Sequence, residues 1–361
     1  MTGPRTPWWT WTWPLLACVI LLIAIFGGSG GVVAAAAGVA LLGTVFVAVY
    51  HAEVVAHRVG EPFGTLVLAL AVTVIETALI VSVMIAAPAE KAGLARDTVF
   101  AAVMIVLNGV VGLCLVLGAG KHFEQTFQLQ GASSALAVLG TLAALALILP
   151  NFTETTVGPS YSILQLEVIG FEALLLWGVF VFVQTIKHRD YFLDMGGTAG
   201  SAEAPHEIPR ARTALVSLVL LLISLAAVVL LAKALSYPVD AGIAAAGLPK
   251  SFVGVVIAVI VLLPEGLAAT RSALVNRLQN SINLALGSAI ASIGLTIPTV
   301  AVVSLALDRR IALGISPVDM TLLVLTLYIS ALTLGTGRTT VLQGAVHLVI
   351  FAAFLLVSAV P

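Results

Sequence analysis

The chain has 361 residues, 60% of them hydrophobic and 9% charged, with a mean hydropathy of +1.16 and a formal net charge of −1. About a quarter of the residues in an ordinary soluble domain are charged, so a soluble globular protein is excluded. The near-neutral balance, with no basic run beyond a few residues, gives nucleic acid nothing to bind.

A helix that crosses a bilayer needs about 20 apolar residues. Such segments fall near 8–26, 31–50, 62–86, 97–119, 132–150 and 162–186, and after a polar stretch near 213–236, 250–270, 281–307, 318–336 and 339–360. The expected fold is therefore an all-α polytopic membrane protein of about eleven helices. The first segment follows Arg5 and could be read as a signal peptide. Trp8, Trp9, Trp11 and Trp13 favour an interfacial aromatic belt on a retained helix. Cys18 and Cys114 lie far apart in apolar sequence, which fits packing residues and not a disulfide framework or a CxxC site.

Residues 187–212 form the one long polar segment, rich in Gly, Ala, Pro and charge, and read as a linker between halves. Its Glu203, His206 and Glu207 are expected to be solvated loop residues. With loops alternating sides, the linker side carries about ten basic residues, among them Arg58, Lys121, Arg271, Arg277 and Arg338, against six on the other. The positive-inside rule then places the N-terminus and linker in the cytoplasm and the C-terminus outside an inner (plasma) membrane.

The chain divides into a leading helix within 1–30, a five-helix half at 31–186, the linker at 187–212 and a second five-helix half at 213–361. Five is odd, so the two halves enter the membrane with opposite orientation, the arrangement of inverted-repeat carriers. The second helix of each half carries one carboxylate in mid-segment: Glu76 in VTVIETALIVS and Glu265 in LLPEGLAATRS. A carboxylate at that depth costs at least about 2.5 kcal/mol on insertion scales and marks an ion or proton pathway. One such acid could be a protonated packing residue; two at matched positions argue for a shared midplane site.

Thr73 and Thr77 accompany Glu76, and Pro264 with Gly266 flanks Glu265, where a discontinuous helix with freed carbonyls is expected. The third helices bring Asn108 in the first half and Gly287, Ser288, Ser292 and Thr296 in the second, a stripe that suits ion lining or small-residue packing. Glu154 follows Pro150 at a helix end, where a vestibule carboxylate is the plain reading and proton access the sharper one. Glu167 and Glu172 lie in the sixth segment without an assigned role, and His347 is expected to be hydrogen-bonded within the bundle.

Three stretches, GEPFGTLVLALAVTVIETALIVSVMIA from Gly60, LPNFTETTVGPSYS from Leu149 and LPEGLAATRSALVNRLQNSINLALGSAIASIGLTIP from Leu263, resemble the α-repeats of the calcium:cation antiporter superfamily. The resemblance is nearest to its cation/proton exchanger branch, the bacterial ChaA-type calcium and sodium–proton antiporters. It implies eleven helices, two inverted halves and a cation site in which Glu76 and Glu265 are essential. Gly287, Ser288 and Ser292 match its third-helix pattern, while in the first half only Asn108 and Gly109 do.

The expected activity is secondary cation:proton antiport, with Ca2+ exported and Na+ or K+ as further cargo. The expected partners are inorganic cations, protons and the lipid bilayer, with no cofactor. A monovalent-only Na+/H+ antiporter and a passive cation channel are the alternatives. An intramembrane enzyme would want a nucleophile with its base, a metal cluster or an Asp-rich phosphate motif, and the sequence has none.

Overall fold

A computed structural model describes residues 7–26, 30–60, 63–86, 93–194, 209–306 and 311–361. They form α1 (Trp8–Phe26), α2 (Gly31–Val59), α3 (Phe63–Ala86), α4 (Leu94–His122), α5 (Leu129–Phe152), α6 (Ile163–Lys187), α7 (Ala211–Ala245), α8 (Phe252–Leu274), α9 (Leu278–Ala306), α10 (Pro317–Leu334) and α11 (Val341–Ala359). Ten of these, among the described residues, are long and apolar enough to cross a bilayer, and α3 adds the apolar stretch Leu70–Val81. The chain is thus an all-α, multi-pass membrane protein. Glu203, His206 and Glu207 of the linker lie outside the described residues.

Several helices outrun the hydropathy windows. The window for α2 stops at Tyr50, before His51, yet the helix continues to Val59 and ends where Gly60 takes φ +77. Hydrophobicity reports where a helix can be lipid-embedded, whereas the backbone continues until a residue leaves helical φ/ψ. Likewise α7 passes through Pro238 and α8 through Pro264. The helix expected to break at Pro264 is continuous: proline's fixed φ suits a helix, and the missing N–H and the ring's crowding of the Ile260 carbonyl are absorbed without ending it. The backbone departs from α geometry elsewhere, in π-helical turns at Ile105–Val110 of α4, Ala144–Ile148 of α5 and Val183–Lys187 of α6.

The chain clusters into two compact units that cut across its linear order: residues 1–91 with 201–253, and residues 92–200 with 254–361. In the first, α2 packs along α7, with α1 and α3 each against both. Trp13 turns inward and donates Nε1–H to the Ala40 carbonyl at 3.3 Å, and His51 Nε2 donates to the Thr10 carbonyl at 3.0 Å. Trp8, Trp9 and Trp11 remain exposed, as a belt at the bilayer surface requires.

In the second unit α4 and α9 are the most buried helices, with α11 and α8 on α4 and α5 and α6 on α9. Its loops gather at two ends. At one, β1 (Gln125–Thr126) pairs antiparallel with β2 (Arg338–Thr339). There Gln125 Nε2 donates to the Ala273 carbonyl at 2.9 Å, and Lys121 Nζ to that of Leu274 at 3.0 Å, closing the end of α8. Asn283 Nδ2 also reaches the Phe192 carbonyl at 2.6 Å. These loops belong to the basic side of the alternating count. At the other end, residues 311–316 run without helical structure, with Ile311, Leu313, Gly314 and Ile315 buried, Leu313 and Gly314 N–H on the Pro159 carbonyl and Ile315 N–H on that of Leu147.

The fifth helix of each half opens in the same way. Ser162 and Gln165 form a capping box at the start of α6, and Thr340 and Gln343 form one at the start of α11. Nearby, Tyr161 Oη donates to the Leu145 carbonyl, released by the π-helical turn of α5. Burial, and then the charge of Glu172, pushes the phenol up to about 12. A raised pKa means the proton, and the bond, is fully present below the unfolded value near 10 and is lost only as pH rises through about 12. Tyr161→Phe is expected to cost about 1–3 kcal/mol by leaving that carbonyl unmatched, read as a lower melting temperature in detergent at neutral pH.

Candidate functional site

Glu76 is the fourteenth residue of α3 and Glu265 the fourteenth of α8, so each side chain stands the same number of turns into its helix. Both are buried, at 4% and 9% exposure. At these depths water is replaced by protein, and a carboxylate needs a cation, a proton or polar neighbours to remain there.

Around Glu76, in the first unit, Thr73 and Thr77 are buried on the same helix. Ile75, Leu79 and Ile80 of α3 are buried as well. Thr73, three residues back, shares the helix face of Glu76, whereas Thr77, one residue on, lies about 100° round the helix.

Around Glu265, in the second unit, α8 lies against α4 and α9. A Cβ placed on Gly266 would stand 3.2 Å from Val110 Cγ2, so the absence of a side chain lets the two helices meet directly beside Glu265. One turn on, Cys114 Sγ and Thr270 Oγ1 are 3.9 Å apart, and Ser281 Oγ donates to the Ala269 carbonyl at 2.7 Å. Ser292 and Thr296 are buried along α9, while Gly287 and Ser288 are half-buried. A Cβ on Gly287 would meet nothing within 4 Å, so α9 borders open space at that level.

Asn108 takes a different place from the one its sequence position suggests. It sits in the π-helical turn of α4, fully buried, with Nδ2 on Thr326 Oγ1 at 2.9 Å and Oδ1 on His347 Nδ1 at 3.1 Å. His347 is hydrogen-bonded within the bundle, as expected, and its Nε2 lies 3.1 Å from Thr333 Oγ1. The sequence carried no signal for this pairing, because Asn108 lies 218 positions from Thr326 and 239 from His347.

Among the described residues, the other acids singled out in the sequence are exposed. Glu154 is exposed in the segment after α5, and Glu167 and Glu172 are exposed on α6. Cys114 is buried and Cys18 half-buried, both free thiols used in packing.

Comparison with known proteins places the chain in an exchanger family. Residues 28–186 and 216–360 match the family described as sodium/calcium exchanger protein. The chain is 54% identical to y4hA of Sinorhizobium fredii over 99% of this chain and 97% of that one. It is 33% identical to the sodium-potassium/proton antiporter ChaA of Escherichia coli, covering 95% and 94%. The fold is shared with the solved H+/Ca2+ exchanger CAX, at TM-score 0.72 and 14% identity over 96% of this chain and 87% of that one. It is shared too with native YfkE, at TM-score 0.71 and 16% identity over 97% and 100%.

Proposed function

This chain belongs to the sodium/calcium exchanger protein family, and from that premise we propose that it is a secondary cation:proton antiporter that exports Ca2+ in exchange for H+ at a two-glutamate site. The observation that carries the reading is the matched placement of Glu76 and Glu265, each buried and each fourteenth in its apolar helix.

Inverted repeats bring equivalent positions to a common midplane, where alternating access turns about a fixed site. Two carboxylates there neutralise one divalent cation or hold two protons. Leaving both ionised with neither ligand is opposed by desolvation and mutual repulsion. The empty site is therefore the form that does not cross, and competition between cation and proton becomes exchange. Ca2+ takes six to eight oxygens, which the carboxylates, the hydroxyls of Thr73, Thr77, Ser288 and Ser292, backbone carbonyls and water can supply. Asn108 serves the site indirectly, since its amide is engaged by Thr326 and His347. Glu154, exposed at the loop end of α5, is placed to collect or release protons at the surface. The protein acts in the inner (plasma) membrane, with the basic end of the second unit cytoplasmic.

A monovalent-only cycle is the second reading, favoured by the relative whose name specifies sodium, potassium and protons. Reconstituted vesicles with a trapped pH dye distinguish the two. Ca2+ should release protons from the wild type more strongly than Na+ or K+ at equal ionic strength; release by Na+ or K+ alone would establish the monovalent cycle.

Gly287 supplies a local test. Because its surroundings are open, Gly287→Leu should leave the melting temperature within about 2 °C, each kcal/mol being worth a few degrees, while lowering transport about ten-fold by filling a cation route. Unchanged transport in a stable Gly287→Leu protein would remove this face of α9 from the pathway.

A further inference from the structure

His347, Asn108, Thr326, Thr333 and Met104 form a buried polar cluster on α4, α10 and α11 whose hydrogen bonds run in one direction. Asn108 directs Nδ2 at Thr326 Oγ1, 2.9 Å away, and at Met104 Sδ, 3.9 Å away, which leaves its Oδ1 facing the imidazole. That oxygen only accepts, so His347 Nδ1 carries the proton and donates at 3.1 Å. In the neutral ring, Nε2 then accepts from Thr333 Oγ1 at 3.1 Å. Thr326 Oγ1 in turn donates to Met104 Sδ at 3.4 Å. Every partner of the histidine is uncharged, and the chain ends on a thioether.

Such a chain is suited to holding and not to conducting. An amide in its middle is a poor proton carrier, and a thioether at its end is a weak acceptor with no basicity to draw a proton onward. What it holds is the π-helical turn Ile105–Val110. On one side of that turn Asn108 is tied to α10 and α11, and the tie is possible because the backbones of α4 and α11 nearly touch: a Cβ on Gly344 would stand 2.7 Å from the Val116 nitrogen. On the other side Val110 abuts Gly266, the neighbour of Glu265.

We propose that His347 is a positioning residue for the exchange site: acting through Asn108, it pins the widened turn of α4 against Gly266 and so fixes Glu265, while taking no part in proton transfer. The inference rests on the two-glutamate reading of the transport cycle and adds to it the element that sets the height and direction of one carboxylate.

The test uses the full chain in proteoliposomes, with Ca2+ as the probe. His347→Ala and Asn108→Ala should each raise the apparent KM for Ca2+ about ten-fold, and the double variant should be no worse than either, because coupled residues act as a unit. His347→Gln offers one amide donor and one carbonyl acceptor to the same two partners. It should return KM to within about two-fold of wild type and keep the wild-type pH profile. Nitrogen-15 NMR of labelled protein, with His347→Gln as the difference spectrum, should show a neutral ring protonated on Nδ1 from about pH 6 to about pH 8.

A shifted pH profile in His347→Gln, a ring protonated on Nε2, or losses that multiply in the double variant would overturn the proposal. Glu265→Gln in the same vesicles separates the two levels of the argument. Inactive Glu265→Gln alongside multiplying losses would overturn the clamp alone, whereas full activity in Glu265→Gln would overturn the exchange site and the positioning role with it.

Discussion

Glu265→Gln is expected to lower Ca2+-driven proton movement by at least about 100-fold, with Glu76→Gln equally severe and the double variant no worse than either, since both belong to one step. Glutamine keeps the volume and much of the hydrogen bonding of glutamate but removes both the charge that binds a cation and the oxygen that takes a proton. A residue present only for packing would tolerate that exchange.

The stability readout makes the case sharper. A buried ionisable group is costly and a neutral amide less so, so the melting temperature of either variant should hold or rise while transport disappears. Loss of activity together with a fall in melting temperature would instead identify the glutamates as structural. Glu265→Asp should retain a small fraction of the rate, because the charge survives but the oxygens are withdrawn by one methylene from a site built on Gly266 and Val110.

Gly254→Val is expected to damage the fold itself, costing about 1–3 kcal/mol or more. A Cβ at Gly254 would stand 2.8 Å from both the Asp97 carbonyl carbon and the Thr98 nitrogen. Those are backbone atoms, held in the first turn of α4 beside Arg96, whose guanidinium pairs with Asp97 at 2.7 Å and reaches the Gly314 carbonyl at 3.2 Å. Unlike a flexible side chain, this neighbour has no rotamer to yield, so α8 must tilt away from α4. The tilt carries Glu265 with it. Reduced expression, a lower melting temperature and lost transport should therefore appear together, in contrast to Gly287→Leu, where the space is open. A normally folded Gly254→Val protein would mean that the α4–α8 approach is not a fixed element of the second unit.

Much of this was legible in the sequence for physical reasons that are easy to state. Apolar runs of bilayer length mark helices because lipid offers backbone groups no partner outside the helix itself, and Glu76 and Glu265 stand out because charge at that depth is expensive. Their correspondence was visible as one mid-segment carboxylate in each of two helices even where residue identity is low, and the helix starts sharpen it to the fourteenth residue of each.

What was not legible is where the backbone departs from its average. Nothing in VMIVLNGVV announces a π-helical turn, since one Asn–Gly pair in an apolar run suits an ordinary membrane helix equally well. Pro264 pointed to a break where α8 runs on, and the bonds that tie Asn108 to Thr326 and His347, 218 and 239 positions away, leave no mark in the sequence. The paired capping boxes, Ser162 with Gln165 and Thr340 with Gln343, were within reach of pattern reading. They give α6 and α11 the same local start, a likeness that overall identity does not show.

The central claim is that cation and proton movements are two uses of one site. Its most direct measurement is the internal pH of wild-type proteoliposomes after a Ca2+ gradient is imposed with no initial pH difference and the membrane voltage clamped by valinomycin and K+. The account predicts proton movement opposite to Ca2+, driven against its own developing gradient and absent from vesicles carrying Glu76→Gln or Glu265→Gln. Ca2+ entry that leaves the internal pH unchanged would contradict it, and would make the chain a conduit for cations without exchange.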